Sequence, residues 1–326
     1  MPTDPAIRVS ERYRGMADRE LRGVSPTYES LCRAVADSPA VCSLLADLPP
    51  LKRQPNLVLG VVRLCGGPID SPAGFLDFVR TNWAEVSASI SSHSTQTNEP
   101  GRCAVLLPLL TQLRGPLALI EVGASAGLCL FPDRYRYRYR TAAGKTHDLG
   151  SGSVELVCNV DGRVPLPDRL PDVRWRAGLD LNPLHADSDT DRDWLRALVW
   201  PEHEQRLSRL SAALDIVAAD PPRIDTADAI DGLSALINAA PSDCTVVVFH
   251  SAVLAYLTPE DRSRFTDLMD ELHRSTQVQW ISNEGPGVVS GTDVIDQSDG
   301  RFVLAHNHQP IALTGPHGQT LDWLDQ

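Results

Sequence analysis

Glu121-Val122-Gly123-Ala124-Ser125-Ala126-Gly127 brings a carboxylate, a hydroxyl and two glycines together in one short turn. The phosphate loop G-x-x-x-x-G-K-[ST] does not fit it. Nor does the dinucleotide fingerprint G-x-G-x-x-G, because Ser125 and Leu128 stand at its second and third glycine positions. Gly123-Ala124-Ser125-Ala126-Gly127 does match the G-x-S-x-G elbow, which would make Ser125 a nucleophile. Asp220 or Asp243, and a base at His306 or His317, would follow in the order Ser, Asp, His. A nucleoside site is the other chemical reading. Glu121 ends a buried strand, where open α/β sheets hold ligands, and small residues let a ligand approach the backbone. The amides of a following helix would face that ligand. A βα turn that merely needs small residues fits the same positions.

The elements around the turn follow from periodicity and breakers. Leu117 to Val122 is a short apolar run after Arg114-Gly115-Pro116, which reads as a strand buried on both faces in a parallel sheet. A second strand ends in Asp180, whose carboxylate suits both ribose hydroxyls of a nucleoside. Leu214 to Ala218 is a third strand or a helix end. Cys244 to Ser251 and Val278 to Glu284 are further strands; Phe302 to Ala305 and Ile311 to Leu313 form a closing hairpin. Asp228 meets an adenine amino group or caps the helix Ile230 to Ala239.

Residues 1 to about 114 read as helices, with Ser25-Pro26 and Ser38-Pro39 each placing a capping hydroxyl before a first-turn proline. Asn98, Glu99 and Arg102, just before the helix Ala104 to Leu113, line a pocket or form a cap with a solvated ion pair. Arg134 to Arg140 alternates Tyr and Arg, which as a strand puts Tyr on one face and Arg on the other. Such interleaving can bind single-stranded nucleic acid, but an exposed hairpin with Tyr packed inward fits an acidic chain better.

The chain has 326 residues and a formal net charge of -12, which argues against nonspecific binding to nucleic acid or anionic membranes. No apolar run is long enough to span a bilayer, and the N-terminus has no apolar signal core. The 7 cysteines form no C-x-x-C and fit reduced thiols in the cytoplasm. His306 and His308 form an H-x-H, but without a companion carboxylate or cysteine cluster no metal site is expected.

Several stretches together resemble a bacterial family catalogued only as a domain of unknown function: Thr97-Asn98-Glu99 with Arg102-Cys103, the Glu121 to Gly127 turn, Asp133 to Tyr137, Gly178 to Pro183, Leu198 to Pro201, and Val248 to Tyr256. More distantly, the sheet half is similar to class I S-adenosylmethionine-dependent methyltransferases, whose acidic-x-G-x-G-x-G turn Glu121-x-Gly123-x-Ser125-x-Gly127 resembles. That resemblance implies that Glu121, Gly123, Ser125 and Gly127 hold the methionine part of the cofactor, Asp180 the ribose and Asp228 the adenine. Phe249 joins this cofactor-binding set. Ser125 replaces the middle glycine, and Asp180 lies much further from the turn than the usual ~20 positions. A hairpin inserted at about 133–172 accounts for the excess.

The expectation is therefore an α/β protein, with a Rossmann-like class I methyltransferase-type sheet at 115–326 and a helical N-terminal cap at 1–114. Its function would be S-adenosylmethionine-dependent methyl transfer to a small molecule or peptide group. His250, then Glu284, is the candidate catalytic base, and Asn98, Glu99 and Arg102 are the substrate-binding candidates. A serine hydrolase built on Ser125 and a non-catalytic nucleoside-binding regulator are the alternatives.

Overall fold

Proline and a capping side chain set the start of one helix after another. In the computed structural model, which describes residues 4–295 and 299–324, Asp4, Ser25, Ser38 and Ser71 each accept a backbone N–H in the first turn of a helix that begins with proline. Each cap contributes about 1 kcal/mol. The helices are α1 (Pro5–Met16), α2 (Pro26–Ala36), α3 (Pro39–Ala46), α4 (Pro55–Leu64), α5 (Pro72–Thr81), α6 (Trp83–Ser92), α7 (Cys103–Leu110), α8 (Asp189–Ala197), α9 (Glu204–Ala219), α10 (Ala229–Ala239) and α11 (Pro259–Thr276).

The chain divides into two compact units, one up to Thr97 with Ser188–Ser211, the other Asn98–Asp187 with the residues from Ala212 onward. The first is helical. Its core includes Tyr13, Leu31, Val35, Val41 and Leu57, all fully or almost fully buried. Helix α8 belongs to it: the Trp194 indole N–H donates to the Ser94 carbonyl, and Trp194 and Leu198 pack against Gly60 of α4. Residues 98–114, expected with the helices, go with the second unit, whereas 188–211 go with the first.

The second unit is mixed α/β around a mostly parallel sheet. Its strands are β1 (Leu117–Val122), β2 (Arg136–Thr141), β3 (Thr146–Leu149), β4 (Glu155–Asp161), β5 (Val173–Asp180), β6 (Arg223–Thr226), β7 (Thr245–Ser251), β8 (Gln279–Glu284), β9 (Phe302–His306), β10 (Gln309–Thr314) and β11 (Thr320–Trp323). Their order in the sheet is β3-β2-β4-β11-β10-β9-β8-β7-β1-β5-β6. Strand β1 lies between β5 and β7, parallel to both, and all its residues are buried. Ile120, Val122, Leu179 and Val248 form a core with Leu233 and Leu236 of α10 and Phe265 and Met269 of α11.

Three local expectations change. Leu214 to Ala218 is helical, inside α9, and the third strand of the parallel set is β6. No α-helix follows the β1 turn. Gly127 leads into a 3-10 turn at Leu128–Leu130, and Pro132 cannot continue a helix. The inserted segment is more than a hairpin. β2 pairs antiparallel with β3 but parallel with β4, and β4 pairs parallel with β11, so the insertion builds the far edge of the same sheet.

Within that edge, Tyr135, Tyr137 and Tyr139 are fully buried, so their rings offer no face to a base. Their hydroxyls donate to the carbonyls of Leu128, Pro132 and Ala104. The intervening Arg136 and Arg138 pair with Glu155 and Asp148 in solvent. Tyr137→Ala should therefore cost about 3–5 kcal/mol in urea unfolding, the range for truncating a large buried aromatic. Arg138→Ala should leave the midpoint essentially unchanged, as exposed ion pairs contribute little. Equal losses in the two variants would contradict this division of the strand.

Candidate functional site

Strands β5 and β6 continue the chain on one side of β1, and β7 and β8 on the other. The carboxyl ends of β1 and β7 therefore flank the point where strand order reverses, the place where open α/β sheets bind ligands. Two non-glycine residues there take the left-handed conformation: Ser125 at φ 50° and Ala252 at φ 58°. Such backbone strain is concentrated at functional sites.

The turn after β1 is held on every side. Gly123 has φ 71°, and a Cβ there would lie 2.5 Å from Val253 Cγ2, so both conformation and space demand glycine. The amides of Gly123 and Ala124 donate to the Leu179 carbonyl. The Ser125 amide donates to Asp180 Oδ2 at 2.8 Å, and the Asn182 amide to Asp180 Oδ1. Asn98 clamps the other face: its Nδ2 donates to Ser125 Oγ at 2.6 Å and its Oδ1 accepts from the Ala126 amide at 3.1 Å. The turn's amides thus go to protein groups, and the expected helix amides are not there to face a ligand.

Glu121 is 7% exposed at the end of β1, and its Oε2 has no hydrogen-bond partner. Burial, then the neighbouring Cys129 thiol, raises its pKa well above the ordinary carboxylate value, while Arg102 opposes the shift. Arg102 donates through Nε to the Pro316 carbonyl and through Nη1 to the Ser251 carbonyl at the end of β7. The Glu99 side chain accepts the Gly101 amide, while its carbonyl accepts the Cys129 thiol. Asn98 thus touches the turn directly, Arg102 ties to the adjacent strand end, and Glu99 serves as a cap beside Cys129.

The remaining candidates have other surroundings. Asp228 caps α10, its Oδ1 accepting the Ile230 amide at 2.8 Å. Phe249 is buried in β7, beside Glu121 in register. His250 is fully buried, and both its ring nitrogens are engaged. The Trp280 indole can only donate, so His250 Nε2 accepts from it at 3.0 Å. Nδ1 therefore carries the proton and donates to Glu284 Oε1 at 2.7 Å. Both ring nitrogens of His250, the candidate base, are thus hydrogen-bonded within the protein. Glu284 Oε1 also accepts the Val253 and Leu254 amides, at 2.8 and 3.1 Å, and so fixes the segment that covers Gly123. Glu284 Oε2 is buried without a partner.

The residues of the hydrolase reading do not converge. Ser125 Oγ is bonded to Asn98; Asp220 pairs with Arg134, and Asp243 with Arg174. His306 bonds to Gln279, His308 to Asp270, and the His317 amide to Gln319. Among the described residues no group of three or more His, Cys, Asp or Glu is placed to hold a metal ion, and no helix is long and apolar enough to cross a membrane. Sequence reasoning missed the supporting parts, Trp280 and Val253, because no local pattern marks a residue that acts through a neighbouring strand.

The chain belongs to the family described as "Uncharacterized protein conserved in bacteria (DUF2332)", whose profile matches residues 69–323. The match takes in later helices of the first unit and every strand of the sheet. Neither comparison with curated proteins nor comparison with solved structures finds a match.

Glu121 gives a direct test of the site's electrostatics. A carboxyl whose folded pKa is raised binds more protons folded than unfolded, so its contribution falls as pH rises above about 4.5. Glu121→Gln should remove that slope, which is at most about 1.4 kcal/mol per pH unit. Chemical denaturation across pH 4–8 measures it. Parallel pH profiles for wild type and variant would show an unperturbed carboxyl.

Proposed function

We propose that the site at the carboxyl ends of β1, β5 and β7 binds S-adenosylmethionine and transfers its methyl group to a small-molecule or peptide acceptor. One observation carries this reading. Two carboxylates, Glu121 and Asp180, end adjacent parallel strands on either side of a tight turn at the strand-order reversal. Numbered along the chain, the parallel strands β6, β5, β1, β7 and β8 stand in the order 3-2-1-4-5, that of doubly wound, Rossmann-like nucleotide-binding sheets.

The orphaned, buried Glu121 Oε2 fits the α-ammonium of the methionine part. Asp180, whose oxygens accept the Ser125 and Asn182 amides, ends the strand beside β1, where the ribose of such a cofactor would lie. The bound cofactor supplies an activated methyl on a sulfonium. The chain's own part is alignment: Asn98 and Asp180 fix the turn, and Glu284 fixes Val253 over it. With His250 closed on both sides, the reading favours an acceptor that needs no histidine base. That same closure favours, as a second reading, a nucleoside-binding regulator without catalysis.

S-adenosylhomocysteine should raise the melting temperature, because a ligand of the native state stabilises it. Asp180→Ala should weaken binding by about ten- to a hundredfold, the scale of hydrogen bonds to a charged group. Affinity should rise with pH as Glu121 ionises to meet the ammonium, with proton release seen as a buffer-dependent enthalpy. Absence of any thermal shift or calorimetric heat at millimolar ligand would reject the cofactor. Methyl transfer without binding loss in Asp180→Ala would move the ribose elsewhere.

A further inference from the structure

A cavity lies at the opposite end of the strands, away from the site just described. It has a volume of about 360 Å³ and is bounded by the end of α7, the loop after β4, the β9–β10 turn and the end of β11. That volume falls within the range of small-molecule sites, roughly 300–1,000 Å³. Leu109, Ile311 and the Trp323 ring make apolar walls, and Arg163, His306 and Gln309 add polar groups. His306 stands opposite Ile281 near the start of β8, whereas Glu284 ends that strand. The cavity therefore shares no residue with the Glu121 site.

Three of the polar groups lining it are chemically unspent. Among the described residues, the Arg163 guanidinium has no ion-pair or hydrogen-bond partner, and neither the Trp323 indole N–H nor the Gln309 amide has one. His306 is fixed differently. The Gln279 side-chain nitrogen donates to the Gln277 carbonyl, so its Oε1 is the acceptor that faces His306 Nε2 at 2.9 Å. Asn307 Nδ2 also approaches Nε2, at 3.3 Å; the shorter contact, to the Gln279 acceptor, places the proton on Nε2 and leaves Nδ1 its lone pair. Burial, then nearby His273, lowers the His306 pKa, which keeps that lone pair available at neutral pH. The cavity thus offers an exposed, unpaired cation, neutral donors at Trp323 and Gln309, neutral acceptors at His306 Nδ1 and the Gln309 carbonyl, and an indole ring. In a chain of net charge -12, an unpaired cation on the lining of this largely polar cavity favours an anionic ligand.

We infer that this cavity binds a small aromatic carboxylate bearing a hydroxyl or N–H donor: the carboxylate meets Arg163, the ring lies on Trp323, and the donor reaches His306 Nδ1. The ring's planarity matches the indole face, and a charged acceptor suits the fork of the guanidinium.

The test is calorimetric titration of the full chain with 4-hydroxybenzoate, beside benzoate and 4-hydroxybenzamide. Saturable binding of 4-hydroxybenzoate is expected, with weaker binding of benzoate and none of the uncharged amide. Arg163→Ala should weaken 4-hydroxybenzoate by about tenfold or more at unchanged melting temperature. His306→Phe should abolish the advantage of 4-hydroxybenzoate over benzoate while leaving benzoate binding. No saturation by 4-hydroxybenzoate at 10 mM, equal binding of the amide, or unchanged affinity in Arg163→Ala would each overturn the assignment. Asp180→Ala, outside this cavity, should leave the titration unaltered.

Discussion

The hydrogen bond from the Ser125 amide to Asp180 Oδ2, 2.8 Å long, joins the turn after β1 to the end of β5. Without an acceptor there, a buried amide in a left-handed residue would be stranded, at a cost of about 1–3 kcal/mol. The bond fixes where Glu121 and Asp180 stand relative to one another. Gly178 lets the turn fold back closely, since a Cβ at that position would meet Ala124 Cβ at 2.5 Å. Asn98 completes the clamp from the chain segment that precedes β1.

A second buried network sets the opposite wall. Trp280, His250 and Glu284 form one hydrogen-bonded chain across β7 and β8, and Glu284 Oε1 passes it on to the Val253 and Leu254 amides. Phe265 of α11 stacks edge-on against both the His250 and the Trp280 rings. Ala252, at φ 58°, sits in the bend this network holds. Apart from Glu284 Oε2 these buried groups are paired, and paired interior polar groups rigidify a core, because breaking one pair is costly in a low dielectric. His250 is thus linked through Glu284 to the Val253 segment that packs over Gly123.

What was legible in the sequence was local. The apolar run with Glu121 at its end, the proline-capped helices and the inward tyrosines each follow from a pattern a few residues long, and each is where the pattern puts it. The placing of Asn98 beside the β1 turn was legible from its nearness to β1 in the chain. The dual readings of Asp228 went to the helix cap, since its carboxylate reaches the Ile230 amide. What escaped the sequence was long-range. Parallel pairing of β2 with β4, and of β4 with β11, joins segments far apart in the chain, and strand pattern carries no address for a partner. Assignment of 188–211 to the helical unit escaped for the same reason. His250 looked like a base because a polar residue at a strand end invites that reading; only the donor-only indole of Trp280 settles its tautomer.

Hydrogen–deuterium exchange with and without S-adenosylhomocysteine tests the account most directly, because it reports which amides a ligand covers. Slowed exchange concentrated in peptides spanning 121–128, 178–184 and 251–257 is the predicted result. Unchanged exchange in all three segments under saturating ligand, or protection confined to peptides elsewhere, would contradict a nucleoside site at the ends of β1, β5 and β7.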